Sequence, residues 1–260
     1  MFIYPKFDRS GKKVVTRTYG KTASMLQNIT VYKMKPGDRL ELTEPGMESA
    51  YLLMEGEITF YWDDRSFRAA RTGVFDDLPV CLHTPQGVVV AIEAHALTEL
   101  LVQSTPNERD FACRLFDKTD VTKFVSCEGR WENTAVRDVV DIINIKNSPY
   151  SNMVLGEVYA RQGRWWSYIP HNHPQPEVYY YKMHRPEGFG ACFIGDKAYT
   201  VKDGSAGLFD GGYTHVQVTA PGYPMYCAWM IRHLDGDPWD NTRTDDPAFI
   251  WLLDLPVETK

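Results

Sequence analysis

Short apolar runs recur along the chain, each rich in valine, isoleucine, tyrosine, phenylalanine or tryptophan and bounded by turn residues. Helical periodicity, in which apolar residues return every three or four positions, is scarce. Runs of this composition and spacing are typical of an all-β sandwich or barrel. The clearest runs are residues 29–32, 50–54, 57–62, 88–92, 178–181 and 225–230. The sequence therefore predicts a protein built mostly of strands.

The two halves of the chain follow one plan, because a glycine turn, an apolar strand and a second glycine turn come in the same order in each. This repetition predicts a duplicated β-barrel. Between the halves, turn residues punctuate a shorter apolar stretch, and we interpret residues 117–152 as a bridge. We expect an amino-terminal domain at residues 1–130 and a carboxyl-terminal domain at 131–260.

Composition and charge narrow the classes of function. No apolar run in the 260 residues approaches the roughly 20 needed to cross a bilayer, so a membrane role is not expected. The formal net charge is −6 and basic residues are not clustered, which argues against nucleic-acid binding. The chain starts without a secretory signal, and its five widely spaced cysteines fit free thiols, so we expect a cytoplasmic protein.

A histidine pair carries the most specific chemistry. His171 and His173 lie on one face of an extended strand, Glu177 follows four residues after His173, and His215 follows a glycine turn. Three imidazoles and a carboxylate suit one divalent transition metal ion, with zinc the first choice and manganese or iron as alternatives. Two surface histidines in a proline-rich loop would explain neither Glu177 nor the matching glycine turn. The sequence therefore predicts a metal site in the second half.

The corresponding turn of the first half lacks this pattern. No His-x-His precedes the strand at residues 50–54, and the later turn carries Cys81 and His83 instead of the glycine and histidine of the second half. Two such side chains are more often packed in a core than bound to metal. We expect the first barrel to hold no metal.

The segments Gly163-x7-His171-x-His173-x3-Glu177 and Gly204-x5-Asp210-Gly211-Gly212-x2-His215 resemble the two motifs of the cupin superfamily, with Asp210 in place of the usual proline. Leu155-Gly156-Glu157-Val158, Pro176-Glu177-Val178-Tyr179-Tyr180-Tyr181 and Gly188-Phe189-Gly190 resemble the 5-deoxyglucuronate isomerases of inositol breakdown, which are related to the 4-deoxy-5-ketouronate isomerases. The resemblance implies a bicupin, two tandem double-stranded β-helix (jelly-roll) barrels. Lys182 and Ala191 stand where arginine and glutamine are expected.

The resemblance also implies a reaction. It is the conversion of an aldose sugar acid, 5-deoxy-D-glucuronate, to the ketose 5-dehydro-2-deoxy-D-gluconate. A proton leaves C2 and returns at C1, an enediol lies between, and a divalent ion would stabilise its negative charge as a Lewis acid. We expect a small sugar acid as the partner, and a homo-oligomer. An iron-dependent cupin dioxygenase and a non-catalytic sugar-binding bicupin are the alternatives.

Strand alternation selects further candidates. With Glu177 facing inward, Tyr179 and Tyr181 also face inward, and the same rule from His215 places Gln217 inside. We predict Tyr181 as a catalytic residue, and Tyr179 and Gln217 as substrate contacts. Glu157 is the predicted base, although a carboxylate that closes the barrel by pairing with an arginine is an equal alternative. Arg164 and Lys182 are candidates for binding the substrate carboxylate, and solvated surface charges are the alternative reading of both.

Overall fold

The computed structural model describes residues 1–257 and consists of strands, numbered β1 to β22 in chain order, with three short 3-10 helices. The helices are Gly20–Met25, Trp131–Asn133 and Ile250–Asp254. The predicted all-β class is confirmed. Within the described residues, none of the helices has the length and apolar character needed to span a bilayer.

The chain forms two compact units, and each of them is made of more than one segment of the sequence. The amino unit consists of Pro5–Val121 and Asn144–Met153, and the carboxyl unit consists of Met1–Tyr4, Thr122–Ile143 and the chain from Val154 onward. A single division between residues 130 and 131 therefore does not describe the units. Two parts of the predicted bridge at 117–152, β11 and β12, pair with each other in the sheet of the carboxyl unit, and β12 also pairs with β13.

The amino unit is organised around one long strand. β5 pairs with four others, β6, β7, β8 and β9, in a nine-stranded sheet. Apolar side chains such as Leu53, Phe60 and Leu100 are fully buried in its core. Its strands are β2 (Lys12–Thr16), β3 (Asn28–Met34), β4 (Arg39–Leu42), β5 (Met47–Trp62), β6 (Arg65–Arg71), β7 (Val80–Thr84), β8 (Val90–Ala94), β9 (Thr98–Pro106) and β10 (Arg114–Phe116).

The carboxyl unit has a seven-stranded sheet in the order β1-β19-β16-β21-β13-β12-β11, a four-stranded sheet in the order β14-β20-β17-β18, and the pair β15-β22. Side chains of the two larger sheets, such as Tyr181 and Cys192, share one core. Its strands are β1 (Phe2–Ile3), β11 (Thr122–Ser126), β12 (Arg137–Ile143), β13 (Met153–Ala160), β14 (Trp165–Trp166), β15 (His171–Asn172), β16 (Glu177–Met183), β17 (Phe189–Ile194), β18 (Lys197–Lys202), β19 (Ala206–Phe209), β20 (His215–Thr219), β21 (Met225–Arg232) and β22 (Thr244–Asp245).

The glycine turn before β20 approaches the loop between β15 and β16. Gly211 has a φ of +82°, and a Cβ there would lie 2.2 Å from the carbonyl oxygen of Pro174. The amide of Gly212 donates to the carbonyl oxygen of His173 at 2.9 Å. Because a side chain at position 211 would clash, glycine is what allows β20 to begin next to the histidine pair.

Residues 234–246 form a segment, here called the strap, that covers the same end of the carboxyl unit. Its strand β22 pairs with β15, so that Asp245 lies opposite His171. Gln175 Nε2 donates to the carbonyl oxygen of Asp237 at 2.9 Å, and the amide of Asp246 donates to that of Pro170 at 2.9 Å. The strap is therefore hydrogen-bonded to both ends of the loop that carries the histidines.

Candidate metal site and its pocket

A cavity of about 270 Å³ opens beside the histidine pair, within the carboxyl unit. Ligand pockets run from roughly 300 Å³ upward, so this one suits a small ligand. β11, β12, β13, β16, β20, β21 and the strap all contribute to its wall. The lining residues are Phe124, Ser126, Arg137, Val139, Asp141, Val158, Ser167, His171, His173, Glu177, Tyr179, His215, Trp229, Ile231, Trp239, Asn241 and Arg243.

Three candidate ligands converge at one end of the cavity. The ligating atoms of His173, Glu177 and His215 lie within 4.8 Å of one another, and all three side chains are buried. Glu177 Oε2 is 3.3 Å from His173 Nε2 and 3.0 Å from His215 Nε2. His171 lies just beyond this group, with its ring centroid 5.1 Å from that of His215. The ligand set of four stays a prediction.

Backbone carbonyl groups orient the imidazoles of His171 and His215. His171 Nδ1 lies 2.8 Å from the carbonyl oxygen of Ile169, and His215 Nδ1 lies 3.2 Å from that of Tyr213. Since a carbonyl oxygen can only accept, the neutral ring carries its proton on Nδ1 and its lone pair on Nε2. A backbone acceptor on the far nitrogen is a common support for a metal-binding histidine.

Two buried nitrogens of the group make no hydrogen bond. They are His173 Nδ1 and His215 Nε2. His215 Nε2 lies beside Glu177 Oε2 without the alignment that a hydrogen bond needs, whereas His173 meets Glu177 through its other nitrogen, Nε2. A buried polar atom without a partner is costly, whereas a lone pair aimed at a cation is satisfied. Nitrogen and carboxylate ligands also match the preference of zinc, manganese and iron. The residues present therefore fit a divalent transition metal ion.

The charges of the site favour a cation as well. Burial, followed by the nearby charges of His215 and Arg243, lowers the pKa of His171 to about 3, so its imidazole is neutral near pH 7. Burial alone would raise the pKa of Glu177, but the imidazoles of His173 and His215 outweigh it and hold that pKa at about 2. Glu177 is therefore an anion among imidazoles.

Family membership follows from the sequence comparison. The sequence matches the KduI/IolB family over residues 2–252. The chain belongs to that family. Curated relatives named 5-deoxy-glucuronate isomerase include one from Geobacillus kaustophilus, 26% identical over 88% of this chain and 87% of the relative. Another, from Lacticaseibacillus casei, is 26% identical over 62% of each chain, so this chain spans less than two thirds of that relative.

Solved structures show the same fold. An IolB-like protein from Salmonella typhimurium LT2 has a TM-score of 0.80 over 87% of this chain and 90% of that one, at 21% identity. The oxalate decarboxylase of Lactobacillus farciminis has a TM-score of 0.66 over 97% of this chain and 88% of that one, at 14% identity. At identities this low, the similarity is evidence for the fold and not for the function. The predicted two-barrel cupin fold of this KduI/IolB family member is confirmed.

Tyr179 is the predicted substrate contact that the structure places in the cavity wall. Its hydroxyl lies 3.1 Å from Ser167 Oγ, and its ring centroid lies 5.7 Å from that of His215. Burial, followed by the charge of Glu177, raises the pKa of Tyr179 well above its usual value, so the phenol keeps its proton. Its hydroxyl can therefore donate a hydrogen bond beside the candidate ligands.

Tyr181 and Gln217 face the barrel interior, as the alternation predicts, but they do not line the cavity. The hydroxyl of Tyr181 donates to Gln217 Oε1 at 2.8 Å, and both residues are fully buried. They bind each other across the two sheets instead of reaching a ligand. The predicted catalytic role of Tyr181 and the predicted substrate contact of Gln217 are not supported by this placement.

Glu157 is not among the residues that line the cavity either, so its role as the base stays a prediction that this placement does not support. On β13 it is Val158, its neighbour, that lines the cavity, so Glu157 faces the other side of the sheet. Its carboxylate accepts hydrogen bonds from Tyr226 at 2.8 Å and from Tyr159. In this placement two phenols hold the carboxylate on the face of the sheet away from the cavity.

Arg164 and Lys182 also lie outside the cavity wall. Lys182 is on the face of β16 opposite to Glu177 and pairs with Asp203 at 3.8 Å. Arg164 is partly exposed at the turn before β14, where its carbonyl oxygen accepts from Thr219. This placement therefore does not support the predicted role of either residue in binding the substrate carboxylate.

Other polar residues, which the sequence did not single out, line the cavity in their place. Arg137 and Asp141 come from the inward face of β12, and Trp239, Asn241 and Arg243 come from the strap. Arg137 and Asp141 bracket an apolar strand at a spacing that keeps them on one face, and this spacing is a signal that could have been used. The strap residues lie in a polar segment without periodicity, which offers no such signal.

Proposed function

We propose that the protein is a metal-dependent isomerase that interconverts the aldose and ketose forms of a small sugar acid. One observation carries the proposal. A buried imidazole and carboxylate group, His173, Glu177 and His215, opens into a small cavity in a chain of the KduI/IolB family. The name of the curated relatives, 5-deoxy-glucuronate isomerase, suggests 5-deoxy-D-glucuronate as substrate and 5-dehydro-2-deoxy-D-gluconate as product.

His171, His173, Glu177 and His215 are the residues that would hold the ion, with zinc as the first choice and manganese or iron as alternatives. A bound divalent ion would supply Lewis acidity to the substrate carbonyl and the neighbouring hydroxyl. Because Glu177 is the one carboxylate among these four residues, the chain would cancel only part of the charge of such an ion. The backbone acceptors on His171 and His215 keep the rings oriented.

Proton transfer is assigned to Asp141 in place of Glu157. Glu177 and Asp141 are the carboxylates in the cavity wall, and Glu177 belongs to the ligand group. In the forward reaction Asp141 takes the proton from C2 and returns it to C1, and a proton also passes from the C2 hydroxyl to the carbonyl oxygen at C1. The β-bulge after Asp141 interrupts the pairing of β12 with β13 at this position. Bulges often re-aim a side chain beside an active site.

Tyr179 is assigned to hold a substrate oxygen. Its hydroxyl keeps its proton because burial raises its pKa, and it lies next to the ring of His215. A neutral donor near the reacting carbons stabilises developing negative charge without itself giving up the proton. Ser167, whose hydroxyl is 3.1 Å away, fixes the direction of the phenol.

The test is incubation of the purified protein with 5-deoxy-D-glucuronate in the absence of oxygen, followed by NMR. We expect the ketose product, deuterium at C1 when the solvent is D₂O, loss of activity with a chelator and recovery with zinc or manganese. Turnover that requires oxygen would indicate the dioxygenase alternative. Binding of the sugar acid without any product would indicate the non-catalytic alternative.

We also propose a role in the breakdown of myo-inositol in the cytoplasm, which the resemblance to the 5-deoxyglucuronate isomerases of inositol breakdown supports. In that setting the protein would act on a small metabolite as a homo-oligomer. Size-exclusion chromatography with light scattering tests the oligomeric state, and growth of a deletion strain on inositol as the carbon source tests the pathway.

A further inference from the structure

Arg137 is a buried cation in the wall of the cavity. Its relative exposure is 9%, and it begins β12 on the same face as Val139 and Asp141. Its Nη1 donates to the carbonyl oxygen of Ala135 at 3.2 Å and to Cys127 Sγ at 3.3 Å. Neither acceptor is a carboxylate, so these contacts position the guanidinium without pairing its charge with an anion.

No carboxylate of residues 1–257 lies within ion-pair distance of Arg137. Burying a cation without a counter-ion is costly, and such charges are normally paired. Arg243, the other arginine of the wall, provides the contrast. It pairs with Asp245 at 3.0 Å, and its side chain remains 33% exposed. Arg137 therefore combines burial, access to the cavity and the need for an anion, whereas Arg243 already has one.

The cavity connects Arg137 with the candidate metal ligands. Its lining continues from Glu177 and Tyr179 on β16, through Trp229 on β21, to Val158 on β13 and β12. A ligand that touches both ends needs one group that binds a divalent ion and another that is anionic. A short sugar acid has both, because the carbonyl and hydroxyl lie at one end of its carbon chain and the carboxylate at the other.

We propose that Arg137 binds the carboxylate of the sugar-acid substrate and so directs the carbonyl end toward the histidine cluster. This inference rests on the proposed function. A guanidinium matches a carboxylate with two parallel hydrogen bonds, which fixes direction as well as position. It replaces Arg164 and Lys182, the candidates chosen from sequence, with a residue whose buried charge the carboxylate would neutralise.

The first test compares Arg137→Met and Arg137→Lys with the wild type on two compounds: 5-deoxy-D-glucuronate and its analogue with a primary alcohol in place of the carboxylate. For the acid, we expect kcat/KM of Arg137→Met to fall by about tenfold to a hundredfold, mostly through KM, because one charge-assisted pair is lost. Arg137→Lys should fall less. On the alcohol all three proteins should be alike. Arg164→Met is the control and should leave the ratio of acid to alcohol unchanged.

The second test separates ligand binding from a structural role and from the isomerase proposal. Replacing an unpaired buried cation by an apolar side chain of similar length should leave the melting temperature of the ligand-free protein unchanged or raise it. Thermal-shift titrations with 5-deoxy-D-glucuronate, D-glucuronate and D-glucose give the preference for acids even if no turnover is found. One outcome would reject the isomerase proposal and support Arg137 as the carboxylate-binding residue. In that outcome the wild type has no turnover but still prefers acids, and Arg137→Met loses the preference. The role of Arg137 in binding the carboxylate is overturned if Arg137→Met retains the preference for acids or if the wild type has no such preference. It is also overturned if the melting temperature of ligand-free Arg137→Met falls sharply.

Discussion

Each unit buries a histidine beside a glutamate: His83 with Glu48 in the amino unit, and His173 with Glu177 in the carboxyl unit. The nitrogen to oxygen distances are similar, 2.9 Å in the first pair and 3.3 Å in the second. In the amino unit the carboxylate of Glu48 also accepts from Ser151 Oγ at 2.9 Å and from the amide of Asn152 at 2.6 Å. Every donor around Glu48 comes from the protein itself.

The pairs differ in what their remaining atoms face. Near Glu48, the atom without a hydrogen bond is His83 Nδ1, on a ring that packs 4.8 Å from the ring of Phe111. Near Glu177, a second histidine adds an unpartnered buried nitrogen, His215 Nε2, which lies 3.0 Å from the carboxylate in the wall of a cavity. The same residue types therefore stabilise a core where other groups of the protein supply their hydrogen-bond partners. They form a candidate metal site where a buried nitrogen beside the carboxylate has no such partner. Burial alone does not distinguish the two.

The largest expected effect comes from removing the carboxylate of the candidate metal site in the carboxyl unit. Glu177→Ala should abolish metal binding and lower the isomerase activity by at least about a thousandfold, since a Lewis acid contributes several kcal/mol to the transition state. Elemental analysis and the NMR assay measure both. Glu48→Ala is the matched control and should keep its metal. Equal metal loss in both variants would remove the distinction between the pairs.

Asp141→Asn should reduce kcat by about a hundredfold or more while the metal content stays at the wild-type level, because a general base is lost and a ligand is not. Glu157→Asn is the control, since this carboxylate lies on the far face of the sheet among phenols. Its variant should lose stability and keep kcat per folded molecule. A large fall in kcat for Glu157→Asn alone would restore the base predicted from sequence.

Glu48→Ala should cost about 3 kcal/mol or more of unfolding free energy, because His83, Ser151 and Asn152 lose their buried acceptor. Urea denaturation followed by tryptophan fluorescence measures the change. The comparison would fail if this variant were as stable as the wild type, since the network around Glu48 would then be incidental to the core.

Tyr181→Phe should have the smallest effect. It removes the hydrogen bond to Gln217, which is worth about 1 kcal/mol, and it should leave kcat and KM within about twofold. Steady-state kinetics and urea denaturation measure these. A fall in kcat beyond tenfold at unchanged stability would show that Tyr181 reaches the substrate after all.

The sequence was sufficient for the strand-rich fold, the histidine cluster and the inward face of β16, because each leaves a local pattern. The sequence did not show which way Glu157 faces. Both faces of β13 are buried, so the alternation of side chains along the strand does not indicate which face lines the cavity. It also missed Arg243, because the pairing of β22 with β15 joins residues far apart in sequence. The burial of Arg137 depends on tertiary packing that composition does not reveal.

The strap has a consequence for how the protein is made. Synthesis proceeds from the amino terminus, so His171 and His173 leave the ribosome long before Trp239 and Arg243. A nascent chain that ends between Thr219 and Trp239 contains β16 and β20, but it has no partner for β15 and lacks the part of the cavity wall that the strap forms. If the proposed ion binds there, we expect its selective uptake to wait until the strap has docked.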